Sequence, residues 1–324
     1  MPNAIRSDSE RNRTTGLALP GLYDNKPGSP AQSVHDGDTL SVRLNGNVSV
    51  RLLGIDTPEI SFMPPGPVVR FVELNDPLWT DFLTDPFDAK WGPLPTFPDL
   101  LTNWLKSRVG ASAAQSHYEH SVAARDDLQR MIERDMAEMQ QTPETFGYYL
   151  NFGFEVMDGY GRLLAMINRD QPDAVSPTPR PRSYNQRLLA QGRAFPYFIW
   201  PNINPWDRPD SISSAVIPPG AARQLAEQDT ELRAARAAVR FARESHRGIY
   251  DAMSPALLEP FELRFLSRRS SPERALIDLR SESDELLHPL NYPSVPHPED
   301  RLWIPSHFVP LFQERGWKKQ ASPV

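Results

Sequence analysis

Apolar and polar residues alternate most regularly between residues 33 and 59. Leu40, Val42 and Leu44 lead into Asn45-Gly46, and Val48, Val50 and Leu52 follow. Period-two alternation around Asn-Gly predicts a β-hairpin. A second hairpin is predicted from Tyr148 to Val156 and from Arg162 to Ile167, turning at Asp158-Gly159-Tyr160-Gly161. Helical periodicity appears elsewhere. Residues 99–108 and about 113–141 read as helices, the second with Leu128, Ile132 and Met136 at four-residue spacing. Ser183-Tyr184-Asn185-Gln186 fits a capping box, and Gly192 supplies a stop, which predicts a short helix over 184–191. A longer helix is expected over about 220–247, ending at Gly248. Two later runs, Glu262 to Leu266 and Ala275 to Leu279, look strand-like.

Proline sets the boundaries between these elements. The chain of 324 residues holds 34 prolines, and they cluster. Residues 60–98 carry MPPGP, DP, DP, GPLP and FP, which interrupt any regular element. The predicted organisation is a flexible leader at 1–32, a main domain at 33–250 with an insertion at about 60–141, and a C-terminal extension at 251–324. The aromatic residues of that extension, Trp303, Phe308, Phe312 and Trp317, are expected to dock it on the main domain.

Composition narrows the function classes. With no cysteine, disulfides, zinc–thiolate sites and thiol nucleophiles are excluded. The N-terminal stretch is polar, and no run approaches the roughly 20 apolar residues of a membrane span. The expected location is cytoplasmic. The net charge of −6 weighs against a wholly basic, nucleic-acid-binding surface, so such a partner would need a local basic groove.

Hairpin register gathers the chemistry. On two-residue-turn geometry Leu40 faces Arg51 and Asp38 faces Leu53. Asp56 then lies just past its strand, near Asp38. Two carboxylates that close repel unless a cation separates them. Hard oxygen ligands without nearby His or Cys point to Ca²⁺ or Mg²⁺. Pro58 turns the chain, freeing the Thr57 carbonyl and bringing Glu59 to the same corner. Arg51 offers a phosphate-binding fork, and Arg162 a second clamp. Metal, cations and a water-positioning acid together describe phosphodiester hydrolysis. The alternative for Asp36-Gly37-Asp38 is a simple turn, and for Arg51 with Asp56 a structural ion pair.

Three motifs carry a resemblance: Val34-His35-Asp36-Gly37-Asp38-Thr39-Leu40, Arg51-Leu52-Leu53-Gly54-Ile55-Asp56-Thr57-Pro58-Glu59, and Asp158-Gly159-Tyr160-Gly161-Arg162. Together they resemble the thermonuclease family, the staphylococcal-nuclease-like domain. Asn185 to Gly192, Pro201-Asn202 and the helix from Glu231 to Tyr250 extend the likeness, which covers about 34–60 and 145–250. The resemblance implies an α+β chain with an OB-fold, a five-stranded Greek-key β-barrel with packed helices. It implies a Ca²⁺-dependent nuclease acting on DNA and/or RNA and leaving 3′-phosphates. Asp38, Asp56 and the Thr57 carbonyl would hold calcium. Glu59 would be the general base, and Arg51 and Arg162 would bind the scissile phosphate. Tyr160 and Tyr197 would contact the nucleotide, and Asp36 would support the metal ligands. The long loop after Glu59, a shortened loop before Tyr197 and the acidic total charge depart from the family pattern. The competing expectation is a binding or scaffolding module on the same fold.

Other residues give weaker signals. His117 and His120 read as a solvated surface pair. His35 reads either as a substrate contact or as a strand-edge residue. Arg180, Arg182, Arg187 and Arg193 form a basic run that is either a guide for a nucleic-acid backbone or an exposed helix face.

Overall fold

The segment expected to be a flexible leader instead supplies strands β1 (Ile5–Asp8) and β2 (Arg13–Pro20). The structure is a computed structural model that describes residues 5–8, 13–22, 26–43, 47–158, 160, 162–254 and 258–324. After the one-turn helix α1 (Pro30–Ser33), β3 (Thr39–Arg43) and β4 (Asn47–Leu52) form the first hairpin. The chain continues through β5 (Gly54–Asp56) into the insertion. There a small pair, β6 (Ser61–Phe62) and β7 (Val72–Glu73), precedes helices α2 (Pro77–Thr84), α3 (Asp99–Lys106) and α4 (Ala113–Glu138). The second hairpin is β8 (Tyr148–Met157) and β9 (Leu163–Arg169).

These strands form one sheet in the order β1-β2-β3-β4-β9-β8, and β8 pairs again with β2. That last pairing closes a five-stranded barrel from β2, β3, β4, β9 and β8. It also corrects the leader assignment. Without β2, the backbone of Tyr148–Phe152 would present an unpaired edge.

Register in the first hairpin differs by one residue from the expectation. Leu40 pairs with Val50 and Thr39 with Arg51. The expected Asn45-Gly46 turn lies outside the described residues. Burial explains the difference. Leu40 and Val50 are both fully buried in the barrel, and pairing Leu40 with Arg51 would turn the arginine inward. Val42, Leu52, Leu150, Phe152, Leu163, Ala165 and Ile167 complete the interior.

Helix α5 (Tyr184–Ala190) leads to β10 (Phe195–Ile199). The single long helix expected next is two, α6 (Ala222–Gln228) and α7 (Thr230–Glu244). Asp229 separates them because its side chain caps α7, accepting from the Leu232 N–H at 2.8 Å. Gly192, at φ +64°, ends α5 so close to the end of α7 that a Cβ there would sit 2.2 Å from the Arg247 carbonyl oxygen.

The extension is part of the fold. It contains α8 (Pro260–Ser267), β11 (Ala275–Asp278), β12 (Glu285–Leu286), β13 (Arg301–Ile304), α9 (Val309–Glu314) and β14 (Lys318–Lys319). A second sheet runs β11-β13-β10-β5, so tail strands continue the sheet that carries Asp56. Trp200 packs edge-on against Phe308 and Phe312, with ring centroids 4.9 and 4.8 Å away. The run Glu262 to Leu266, expected as a strand, is helical. Pro260 at the helix start and the reciprocal Glu259–Glu262 capping box override the alternation. Among the described residues no helix is long and apolar enough to cross a membrane.

Deleting residues 1–20 is expected to lower the thermal unfolding midpoint by roughly 10 °C or more, because the barrel loses a strand. An unchanged midpoint would mean that β2 contributes nothing to closure.

Candidate functional site

The loop before β3 and the segment after β5 meet at one end of the barrel. Asp38 is buried at 3% exposure and Asp56 at 1%. The Asp38 carboxylate is fixed by local donors. Its Oδ1 accepts from the Thr39 hydroxyl at 3.1 Å, and its Oδ2 from the Thr57 N–H at 3.1 Å. Gly37 permits this approach. A Cβ at that position would stand 2.5 Å from the Ala124 Cβ and 2.9 Å from the Thr57 Cγ2. The glycine of Asp36-Gly37-Asp38 therefore lets α4 and the Asp56–Pro58 segment close on the loop.

Asp38 and Asp56 are brought together as expected, and the cation between them is Arg51. Its Nη1 lies 3.1 Å from Asp38 Oδ2 and its Nη2 2.5 Å from Asp56 Oδ1. A second arginine, not anticipated from sequence, reaches the same acids. Arg264 of α8 donates through Nη2 to Asp56 Oδ2 at 2.6 Å. Its Nη1 donates to Asp56 Oδ1 at 3.1 Å and to Glu59 Oε1 at 2.7 Å. The only sequence signal for Arg264 was an arginine placed between Phe261 and Phe265, which is common in any amphipathic element.

Glu59 is also held through its backbone. Its N–H donates to His117 Nε2 at 2.7 Å. The expected solvated pair of histidines is thus corrected. His117 and His120 are 2% and 8% exposed, and the His120 Nε2 lies 2.6 Å from the Ser254 carbonyl oxygen. Glu59, just before the insertion, and Ser254, in the extension, meet these two histidines of α4.

Arg162 immediately precedes β9, the strand beside Arg51. Val50 pairs with Leu163 and Arg51 with Leu164. Arg162 therefore comes level with Ser49, on the face Arg51 uses and roughly 8 Å from it by strand spacing. It is ion-paired to Asp158 at 2.8 Å and lies over the Tyr160 ring at 5.4 Å. Tyr160 itself is exposed. Tyr197, expected to face a nucleotide, is instead 9% exposed beneath the extension. Phe261 stacks on its ring at 5.7 Å, and Arg274 donates to its hydroxyl at 3.0 Å. Asp36 is half-buried, and its Oδ1 accepts from the Asp38 N–H at 3.2 Å. His35 is exposed.

Burial pushes the Asp36 carboxyl well up, with the Asp38 charge adding to the effect. Burial also opposes ionisation of Asp38, but Arg51 and the Thr57 N–H outweigh it and hold Asp38 below its usual range. Glu59 is raised by burial, only partly opposed by Arg264. A raised carboxylate accepts a proton more readily, as a general base requires. His117 is pushed down to about 3 by burial, with the Arg264 charge reinforcing it.

Oxygen donors of the kind calcium prefers are present in Asp38, Asp56, Thr57 and Glu59. As arranged they do not fit a metal. Both Asp56 oxygens and one Glu59 oxygen are taken by guanidinium N–H groups, and one Asp38 oxygen faces Arg51. Among the described residues no group of three acid or histidine ligands converges on a common point.

The basic run near α5 is largely tied up. Arg187 pairs with Asp135 at 2.5 Å, Arg193 with Asp127, and Arg180 donates to the Pro172 carbonyl. Arginines gather elsewhere. Arg223, Arg233, Arg236, Arg240 and Arg280, with Glu227, line a cavity of about 400 Å³ against α6 and α7. Arg223, Arg236 and Arg280 pair with Glu282, Asp300 and Asp278. Among the described residues no ion pair engages Arg233 or Arg240. Compared with known proteins, the chain matches no family model and no curated protein sequence.

The buried His117 gives a pH signature. Its ordinary value is 6.5 and the fold lowers it to about 3, so it stays neutral where the unfolded chain takes up a proton. Its contribution is complete above 6.5 and is lost as pH falls from 6.5 towards 3. The slope from this residue is at most about 1.4 kcal/mol per pH unit. Chemical denaturation between pH 7 and 4 should show a shallower loss of stability in His117→Gln than in the native chain. Parallel pH profiles would contradict a neutral buried His117.

Proposed function

We propose that the chain is a thermonuclease-like phosphodiesterase built on an OB-fold with Greek-key strand order, cutting DNA and/or RNA. The observation that carries this reading is the joint placement of Arg51, Asp38, Asp56 and Glu59 at one barrel end, with Arg162 just before the adjoining strand. In this scheme Arg51 and Arg162 bind the non-bridging phosphate oxygens and offset the charge that grows there. Glu59 takes a proton from the attacking water. The water oxygen bonds to phosphorus, the P–O5′ bond breaks, and the departing oxygen takes a proton from solvent. A 3′-phosphate remains. Tyr160, exposed beside Arg162, is the nucleotide contact. Calcium, the expected cofactor, has no step in this scheme because Arg264 holds Asp56 and Glu59.

A second reading is a nucleic-acid-binding module without catalysis. It is favoured by Arg51 and Arg264, which already satisfy the acids. One assay separates the two. Labelled single-stranded DNA and RNA are incubated with the full chain in calcium and in chelator. The catalytic reading expects cleavage that Arg51→Ala and Glu59→Gln each slow at least about 100-fold. Oligonucleotide binding without cleavage under both conditions would select the binding module.

A further inference from the structure

The expected metal and the observed arginine claim the same oxygens. Arg264 places a planar fork on both oxygens of Asp56 and reaches one oxygen of Glu59. Those are the lone pairs a divalent cation would need. Asp38, Asp56 and Glu59 bring three negative charges, and Arg51 and Arg264 offset two of them.

Arg264 is no loose surface side chain that a metal displaces cheaply. Its helix is fixed by buried polar contacts on the far side. Glu259 pairs with Arg301 at 2.6 Å, and both side chains are buried. Glu262 accepts from the Trp104 indole N–H and the Tyr292 hydroxyl, each at 2.6 Å. At the helix end Ser267 donates to the Met63 carbonyl at 2.5 Å, and just beyond it Arg269 donates to the carbonyls of Pro86 and Gly92, each at 2.7 Å. The insertion and the extension therefore clamp α8, and α8 aims Arg264. On the other side of the arginine, Phe261 and Phe265 pack into the aromatic cluster around Tyr197 and Trp303. Withdrawal of the guanidinium would leave Asp56 buried with half its partners gone.

We infer that Arg264 is the resident cation of this site: it holds Asp56 and Glu59 in the place of a divalent metal and excludes one while α8 is docked. The inference concerns cation occupancy, so it stands apart from whether the chain cleaves nucleic acid. A metal that bound beside Arg264 would put a third cation on the Asp56 carboxylate, after Arg51 and Arg264, each weakening the others. Removing Arg264 leaves Asp56 and Glu59 undercompensated and open to a hard divalent ion.

The test is calcium binding to the full chain by titration calorimetry, without a cleavage readout. The native chain is expected to show no saturable binding at micromolar calcium. Arg264→Gln is expected to bind one calcium at least tenfold more tightly than the native chain, and adding Asp56→Asn should abolish that gain. Near-ultraviolet circular dichroism checks the fold. If Arg264→Gln loses its tertiary signal, Arg264→Met replaces it, since it keeps an unbranched side chain without the charge, and the same tenfold gain is expected. Micromolar binding by the native chain that Asp56→Asn removes would overturn the inference. So would a folded Arg264 variant with no gain over the native chain.

Discussion

A chain of charge pairs around two buried aspartates, Asp38–Arg51–Asp56–Arg264–Glu59, fixes the relation between the barrel and the segments that contribute to it. Asp38 and Asp56 are almost wholly buried, and neither is tolerable there without a cation. Arg51 arrives from the neighbouring strand position, while Arg264 arrives from more than two hundred residues away in sequence. The second pairing ties the extension to the barrel end. It joins β13, which continues the β5–β10 sheet, and the aromatic cluster on Tyr197 as ties between tail and barrel. Such pairs contribute little net stability against an apolar replacement, but breaking one partner alone is costly. Their main effect is geometric: each acid and each arginine has one place to be.

The barrel hairpins and the acids at their ends were legible in the sequence because they are local. Alternation marked β3, β4, β8 and β9, and the position of Asp56 just past its strand brought it near Asp38. The exact pairing was not local. Which residue faces Val50 depends on which side chains the barrel must bury, and this turned the register by one. β2 was missed for a similar reason. Its run of Thr, Gly, Leu and Ala is a weak strand by itself and is completed only by the edge of β8. Arg264 and His117 were opaque because their partners lie on the barrel, while their own segments read as a strand and an exposed helix face. For Glu262 to Leu266 the capping box decided the conformation, although alternation pointed the other way.

The insertion and the extension converge on Glu59 from opposite sides. His117 of α4 takes its backbone N–H, and Arg264 of α8 takes its carboxylate. The segments that depart most from the compact pattern of the resemblance are therefore the ones that orient the candidate base. Tyr197 shows the same effect in reverse, since the extension covers a ring that the resemblance had facing substrate. Arg162 and Tyr160 remain on the open side, so in the proposed function a phosphate would approach over the Arg51–Arg162 face.

The central claim is that Arg264 and Asp56 are energetically one unit. A double-mutant cycle of Arg264→Gln and Asp56→Asn, read by equilibrium denaturation of the full chain, measures it directly. A coupling of about 2 kcal/mol or more is predicted, with the double variant less damaged than the sum of the single ones. Additivity within about 0.5 kcal/mol would contradict it.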